Sequence, residues 1–231
     1  PDTIIRSTDW MKELYHKATL QNYVLNYSAG GEFSNQYASL SYTNEEGTYI
    51  STGYKKFSLT FNTDNKVGKW IELGNSLNIS FGERNPQEWA QNAIMEVNPF
   101  MLVYDTLPNS PYTYGILPKK YLFNTQNIYG TELIFDRIDK SWNGLGSIYL
   151  LVSPFKGLTW KTTAGGTFNY YNSYKHTDPY DLYVAKETVD RLYTNLGHGT
   201  TYTANSFLTY NFELQKHKIA LMAGWEIQSI S

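Results

Sequence analysis

The stretch that most limits what this chain can become is residues 156–171, where two unlike sets of side chains alternate without a break. Its even positions read Leu158, Trp160, Thr162, Ala164, Gly166, Phe168 and Tyr170, and its odd positions Thr159, Lys161, Thr163, Gly165, Thr167, Asn169 and Tyr171. Successive side chains of a strand point to opposite faces, so this is a strand with one mostly apolar and one polar face, longer than the usual soluble strand. A strand needs roughly 9–11 residues to cross a bilayer, and its polar side must then meet a wet interior. The pattern predicts a membrane barrel strand.

Composition agrees. With 21 Tyr, 11 Phe and 6 Trp the chain is 16% aromatic but only 17% charged, which suits a barrel with aromatic girdles or a carbohydrate-facing surface. A formal net charge of -2 argues against nucleic acid as a partner. With no Cys there is no disulfide framework, thiolate metal site or cysteine nucleophile. No apolar run approaches the roughly 18 residues of a spanning helix, so a membrane would be crossed by strands. Starting at Pro1 without a Met and stopping at Ser231 just after an alternating run, the chain reads as a piece of something longer.

In chain order, Ser7, Thr8 and Asp9 are capping residues before a short helix over residues 10–16. Tyr23, Leu25 and Tyr27 then alternate with Val24, Asn26 and Ser28, a turn follows at residues 29–32, and Ala38, Leu40 and Tyr42 lie on the returning strand. Phe57, Leu59 and Phe61 mark a third strand, residues 62–66 have turn chemistry, and Ile71, Leu73, Leu77, Ile79 and Phe81 mark a fourth, with Asn75 intruding on its apolar face. Residues 84–142 hold five prolines and read as a long loop, with a helix start at Asn85, Pro86 and Glu88 running towards Met95. Residues 147–152 form a strand turned into the opening stretch. Residues 172–199 read as loop with a helical signal over 184–193, and a last hairpin turns at residues 215–217.

The connections therefore run short, medium, short, very long, short, long, short. Barrels of the outer membrane have brief periplasmic turns and longer outer loops, so the turns near Gly30, Asp64, Phe155 and Lys216 lie inside and the loops after Tyr42, Gly82 and Tyr171 outside. Trp160 and Phe155 then sit near the inner interface, and Phe81, Tyr170 and Trp225 near the outer one. The expected fold is all-β: an antiparallel up-and-down transmembrane β-barrel segment of about eight strands with long outer loops, open at two edges. Residues 1–22 are its lead-in with a short helix, and residues 23–231 the partial barrel domain.

Several residues in order carry a family resemblance: Ser7-Thr8-Asp9-Trp10, Gln21-Asn22 before Ser28-Ala29-Gly30-Gly31, Ala38-Ser39-Leu40-Ser41-Tyr42 with Glu46-Gly47, and Tyr54-Lys55-Lys56-Phe57. Lys69-Trp70, Gly157-Leu158-Thr159-Trp160, Leu208-Thr209-Tyr210-Asn211, Lys216-His217 and Ala223-Gly224-Trp225-Glu226 continue the order. Collinear over nearly the whole chain, this set resembles the barrel of SusC/RagA-type TonB-dependent outer-membrane transporters. Lys56 stands where that family usually has Arg. The resemblance implies a parent barrel of about 22 strands, preceded by a plug domain and a TonB box, in the cell outer membrane. It also implies a SusD-like surface lipoprotein as partner, energy from the TonB complex, and oligosaccharide or peptide as cargo.

Tyr104, Tyr112, Tyr114, Tyr121 and Tyr129 in the long loop are candidate ligand contacts, since an aromatic face matches the C–H side of a sugar ring and binding gathers on loops. The bland alternative is that they pack the loop on itself. Lys161, Glu213 and Glu226 are expected to face the lumen. Asp136 and Asp139, or Asp178 and Asp181, are close in sequence, but a glycosidase needs two carboxyl groups across a bound sugar. His16, His176, His198 and His217 lack metal-ligand spacing, and no phosphate loop or serine elbow is present. The expectation is thus a transport wall without catalytic residues, metal or cofactor. Two rivals remain at this stage: a complete eight-stranded outer-membrane barrel, and a soluble carbohydrate-binding β-sandwich.

Overall fold

A computed structural model describes residues 7–87, 93–106, 108–116, 126–182 and 185–231. Short helix α1 (Trp10–Leu14) leads into β1 (Leu20–Gly30), β2 (Ser34–Glu46), β3 (Gly53–Val67) and β4 (Ile71–Asn85). Helices α2 (Ala93–Glu96) and α3 (Ile128–Ile134) follow, then β5 (Phe135–Val152) and β6 (Leu158–Thr177). The two-residue strands β7 (Tyr180–Asp181) and β8 (Lys186–Glu187) precede β9 (Arg191–Leu214) and β10 (His217–Ile230). β7 and β8 pair only with each other; the other eight form one antiparallel sheet in the order β1-β2-β3-β4-β5-β6-β9-β10. The sheet does not close, so β1 and β10 are its edges.

Register turns the alternation of single strands into a property of the whole sheet. Tyr23 stands opposite Tyr42, Tyr42 opposite Phe57, Phe57 opposite Phe81, Phe81 opposite Trp142, Trp142 opposite Tyr170 and Tyr170 opposite His198. This unbroken row is the outer aromatic girdle; within it Tyr23 and Tyr42 stack at 6.5 Å and Phe81 meets Trp142 at 4.8 Å. On the same face, Val67, Ile71, Val152, Trp160 and Leu208 form a second row near the short turns. Phe57 and Val67 are ten residues apart, about 33 Å of strand at roughly 3.3 Å per residue, or about 25 Å of bilayer once the strand tilts by about 40°. That matches a hydrocarbon core.

Between the rows the apolar side chains have no protein cover: Leu25 is 71% exposed, Ile148 64% and Leu221 57%. Among the described residues no second sheet stacks on them, and the exposed apolar band disfavours the β-sandwich reading. Among the described residues no helix is long and apolar enough to cross a membrane.

Glycines level the wall. Gly74 faces Tyr149, Gly144 faces Phe168, Gly197 faces Tyr171 and Gly224 faces Phe207, each as direct cross-strand partners. In every case a Cβ on the glycine would lie 1.9–2.2 Å from a carbon of the partner ring. The rings therefore lie flat over the glycines, the device that compensates for missing glycine side chains in sheets.

Several expected boundaries move. The turn expected at residues 62–66 is strand: β3 runs on to Val67, and the chain reverses at residues 68–70, where Gly68 takes φ +74°. Thr63, Asn65 and Asn75 lie on the outward face there and satisfy one another, Thr63 Oγ1 donating to Asn75 Oδ1 and Asn65 Nδ2 to Thr63 Oγ1 at 3.3 Å. This accounts for the intruding Asn75, the register partner of Thr63. β4 extends to Asn85 and β5 begins at Phe135, so residues 84–142 are not all loop. Likewise 172–177 and 191–199 belong to β6 and β9, and the helical signal over 184–193 gives way to β8 and the start of β9, with Val184 outside the described residues. Of the helix expected from Asn85, α2 is described over Ala93–Glu96 only, and Glu88 lies outside the described residues. α1 forms as expected, Asp9 capping it by accepting from the Lys12 N–H at 3.2 Å.

Candidate functional site

The inward face is mostly polar, with Leu145, Leu151, Phe207 and Met222 among its hydroxyls, amides and charges. Lys161, Glu213 and Glu226 share the parity of Ser58, Thr60, Asn78 and Ser80, opposite to the girdle. Near the short turns, Tyr149 stands between two carboxylates, its hydroxyl 2.6 Å from Asp64 Oδ1 and 2.7 Å from Glu72 Oε1, with the Lys161 ammonium 4.7 Å over its ring. This cluster ties β3, β4, β5 and β6 together from the wet side.

The outer mouth holds a second polar constellation. Three residues beyond the girdle on each strand, Leu20, Glu45, Tyr54, Arg84, Asp139, Ser173 and Asn195 form an in-register row facing inward, of which the last five concern the mouth. These five line a depression of about 400 Å³ whose floor includes Gly82 and Ser141 and whose wall includes Tyr171. Small floor residues make the hollow: Gly82 and Ser141 are cross-strand partners, and Tyr171 follows in the same row before Gly197. Asp139 accepts from Arg84 Nη2 through Oδ2 at 2.9 Å and from Ser173 Oγ through Oδ1 at 2.5 Å, and Arg137 Nε lies 3.4 Å from Oδ1. The Asp139 side chain is 20% exposed while that of Arg84 is 60% exposed, so a fixed carboxylate orients a guanidinium that reaches the lumen.

Above the mouth, the lead-in and outer loops fold into a small cap. Trp10, Leu14, Tyr49, Val97, Met101 and Ile128 form its buried core. α1 bridges two loops: His16 N–H donates to Thr48 O, Ile50 N–H to Leu14 O, and Thr8 N–H to Pro99 O. Buried Asn127 is the hub, donating through Nδ2 to the carbonyls of Leu102, Val103 and Gly115 and accepting from the Gly130 N–H as N-cap of α3. Burial, with the nearby Glu132 carboxylate, pushes the Tyr49 hydroxyl above its ordinary value of 10.0.

The loop tyrosines cluster in this cap. Tyr104 stacks on Tyr114 at 6.0 Å and meets Tyr129 edge-on at 5.7 Å. Tyr114 also covers Gly130, where a Cβ would fall 2.5 Å from its ring; burial, and then Tyr104, raises its pKa. Tyr104 is 50% exposed, and Tyr112 lies close enough to Lys186 to support its charge. Tyr121 lies outside the described residues. Tyr104 and Tyr114 thus do packing work, and one face of Tyr104 remains open.

Asp136 and Asp139 point to opposite faces of β5 and so cannot flank one sugar. Asp181 pairs with Lys186 at 2.7 Å. His176, Asp178 and Asp190 offer ligand atoms all within 4.8 Å of one another, a trio hidden from sequence spacing because Asp190 comes from the returning side of the β6–β9 connection. Both acids are exposed, and His176 Nε2 meets Asp190 Oδ1 at 2.6 Å as an ordinary histidine–carboxylate pair. The mouth row too was beyond sequence reading, although its signal exists: from Tyr42 onward, a polar residue three positions past each girdle residue.

No family model matches the chain. The chain is 24% identical over 238 residues to the TonB-dependent receptor P3 of Formosa agariphila, a match covering 97% of this chain and 23% of that protein. Among solved structures it superposes on the RagAB peptide importer in its 'closed-closed' state with a TM-score of 0.77 at 17% identity, over 97% of this chain and 27% of the other. A second RagAB peptide transporter structure gives a TM-score of 0.78 at 18% identity, over 96% and 26%. The fold is that of a SusC/RagA-like TonB-dependent transporter barrel, in part. The chain spans about a quarter of the length of the proteins it matches. Such a wall is an outer-membrane structure.

Proposed function

We propose that the chain forms a sector of the wall, and part of the outer cap, of an outer-membrane nutrient importer that takes up oligosaccharides or peptides. Energy comes through the TonB complex, a SusD-like lipoprotein works at the outer surface, and the segment performs no covalent chemistry itself. The observation that carries this is the in-register girdle with an exposed apolar band on one face and a polar lumen face on the other. The names of the similar proteins, a TonB-dependent receptor and a peptide importer, support the same reading. In it Tyr104, Tyr112, Tyr114 and Tyr121 belong to the outer surface that meets cargo or lipoprotein. The two-edged sheet favours a sector over a self-contained eight-stranded barrel.

The test is expression of the full reading frame in a Gram-negative host. The protein should fractionate with the outer membrane, migrate as a heat-modifiable barrel on gels, and support peptide or oligosaccharide uptake that disappears in a host lacking TonB. A monodisperse monomer that stays soluble without detergent and unfolds cooperatively would overturn the reading.

A further inference from the structure

We infer that the mouth row is a cargo-recognition subsite that binds a carboxylate, supplied by the free C-terminus of a peptide or by an acidic sugar. The inference rests on the importer reading and gives it a ligand chemistry. Arg84 and Arg137 face the same depression from adjacent strands, with Asp139 the one carboxylate between them. Among the described residues both guanidinium groups pair with Asp139 alone, Glu45 of the same row standing two strands away from Arg84, so two cations share one directly bound carboxylate. One singly charged group restores the balance.

The geometry suits a planar anion. A guanidinium presents five N–H donors in a rigid fork that matches a carboxylate edge to edge. Asp139 and Ser173 hold the Arg84 fork in place while its side chain stays 60% exposed. Tyr171, flattened over Gly197, offers a ring face beside the hollow, and Asn195 closes the row with a side-chain amide that can donate to a second anion oxygen. A hollow of about 400 Å³ admits a terminal residue or one sugar ring, not a whole chain. The site therefore reads an end or a single unit of the cargo. Lys140, by contrast, lies on the outward face and pairs with Glu83 at 3.5 Å.

The experiment measures affinities with the full-length protein in detergent. One arm uses tetrapeptides with a free or an amidated C-terminus, and the other trigalacturonate and its methyl ester. Losing a charge-assisted hydrogen bond typically weakens binding by about ten- to hundredfold, so in at least one arm the free acid should bind about tenfold more tightly than its neutral partner. The arm showing the difference identifies the source of the carboxylate. Arg84→Gln and Arg137→Gln should each shrink that preference, while Lys161→Gln, at the opposite end of the lumen, should leave it intact. Equal binding of acid and neutral forms in both arms, no binding of any probe, or a preference that survives both arginine substitutions would overturn the inference. Outer-membrane fractionation and heat-modified mobility are scored on the same variants, so a failed subsite is told apart from a failed importer reading.

Discussion

The cap and the wall satisfy their apolar residues in opposite ways. In the cap, Leu14 is fully buried and Met101 is 2% exposed, against protein drawn from four separate stretches of chain. In the wall, residues of the same kind lie bare in a band between the girdle and the apolar row near the short turns. The cap obeys the rules of a water-soluble domain and the wall those of a bilayer, and the boundary between them is the girdle. The same substitution should therefore have different consequences on its two sides.

The largest effect is expected in the cap. Leu14→Ala leaves a cavity in a core of only six buried residues and should cost about 2–5 kcal/mol. Limited proteolysis should then open the outer loops while heat-modified gel mobility of the barrel is unchanged; loss of both together would show that cap and wall fold as one unit. Next comes the wall. Phe61→Arg puts a cation between the girdle and the apolar row near the short turns, on the lipid face, and should cost about 2–4 kcal/mol in refolding titrations into vesicles, whereas Thr60→Arg, one residue along and facing the lumen, should cost under about 1 kcal/mol. Equal costs would break the assignment of the faces.

The smallest effect is a pH dependence confined to the cap. The Tyr49 hydroxyl is held above its ordinary 10.0, first by burial and then by Glu132. A group whose folded pKa is raised contributes stability that is complete below its unfolded value and is lost as pH rises through the folded one. Protease resistance of the outer loops should hold up to about pH 10 and decline above it, and Tyr49→Phe should flatten that decline. Superimposable profiles for the two proteins would show that the hydroxyl is not held in the buried site.

How much was legible in the sequence follows the same boundary. Between the rows, lipid on one side and water on the other force alternation, so the strands around Leu25, Leu40, Leu59, Ile79 and Ala164 could be read directly. Beyond the girdle both faces are wet, alternation has no physical cause, and residues 135–141, 172–177 and 191–197 look like loop although they are paired strand. At the inner margin, Thr63, Asp64 and Asn65 carry turn chemistry but find partners across the sheet, and the strand continues. The cap was invisible because its core has no period: Trp10, Tyr49, Met101 and Ile128 meet only in three dimensions. The mouth row shares that difficulty, since Arg84 and Asp139 are brought together across 55 residues by register alone.

The flat pairing of Tyr149, Tyr171 and Phe207 on their glycines bears on passage through the pore. Rings on the inner surface of a conduit would normally stand up as baffles, narrowing the bore and offering greasy ledges on which a solute could lodge. Laid down over residues without side chains, these three rings add little height to the polar face where they lie.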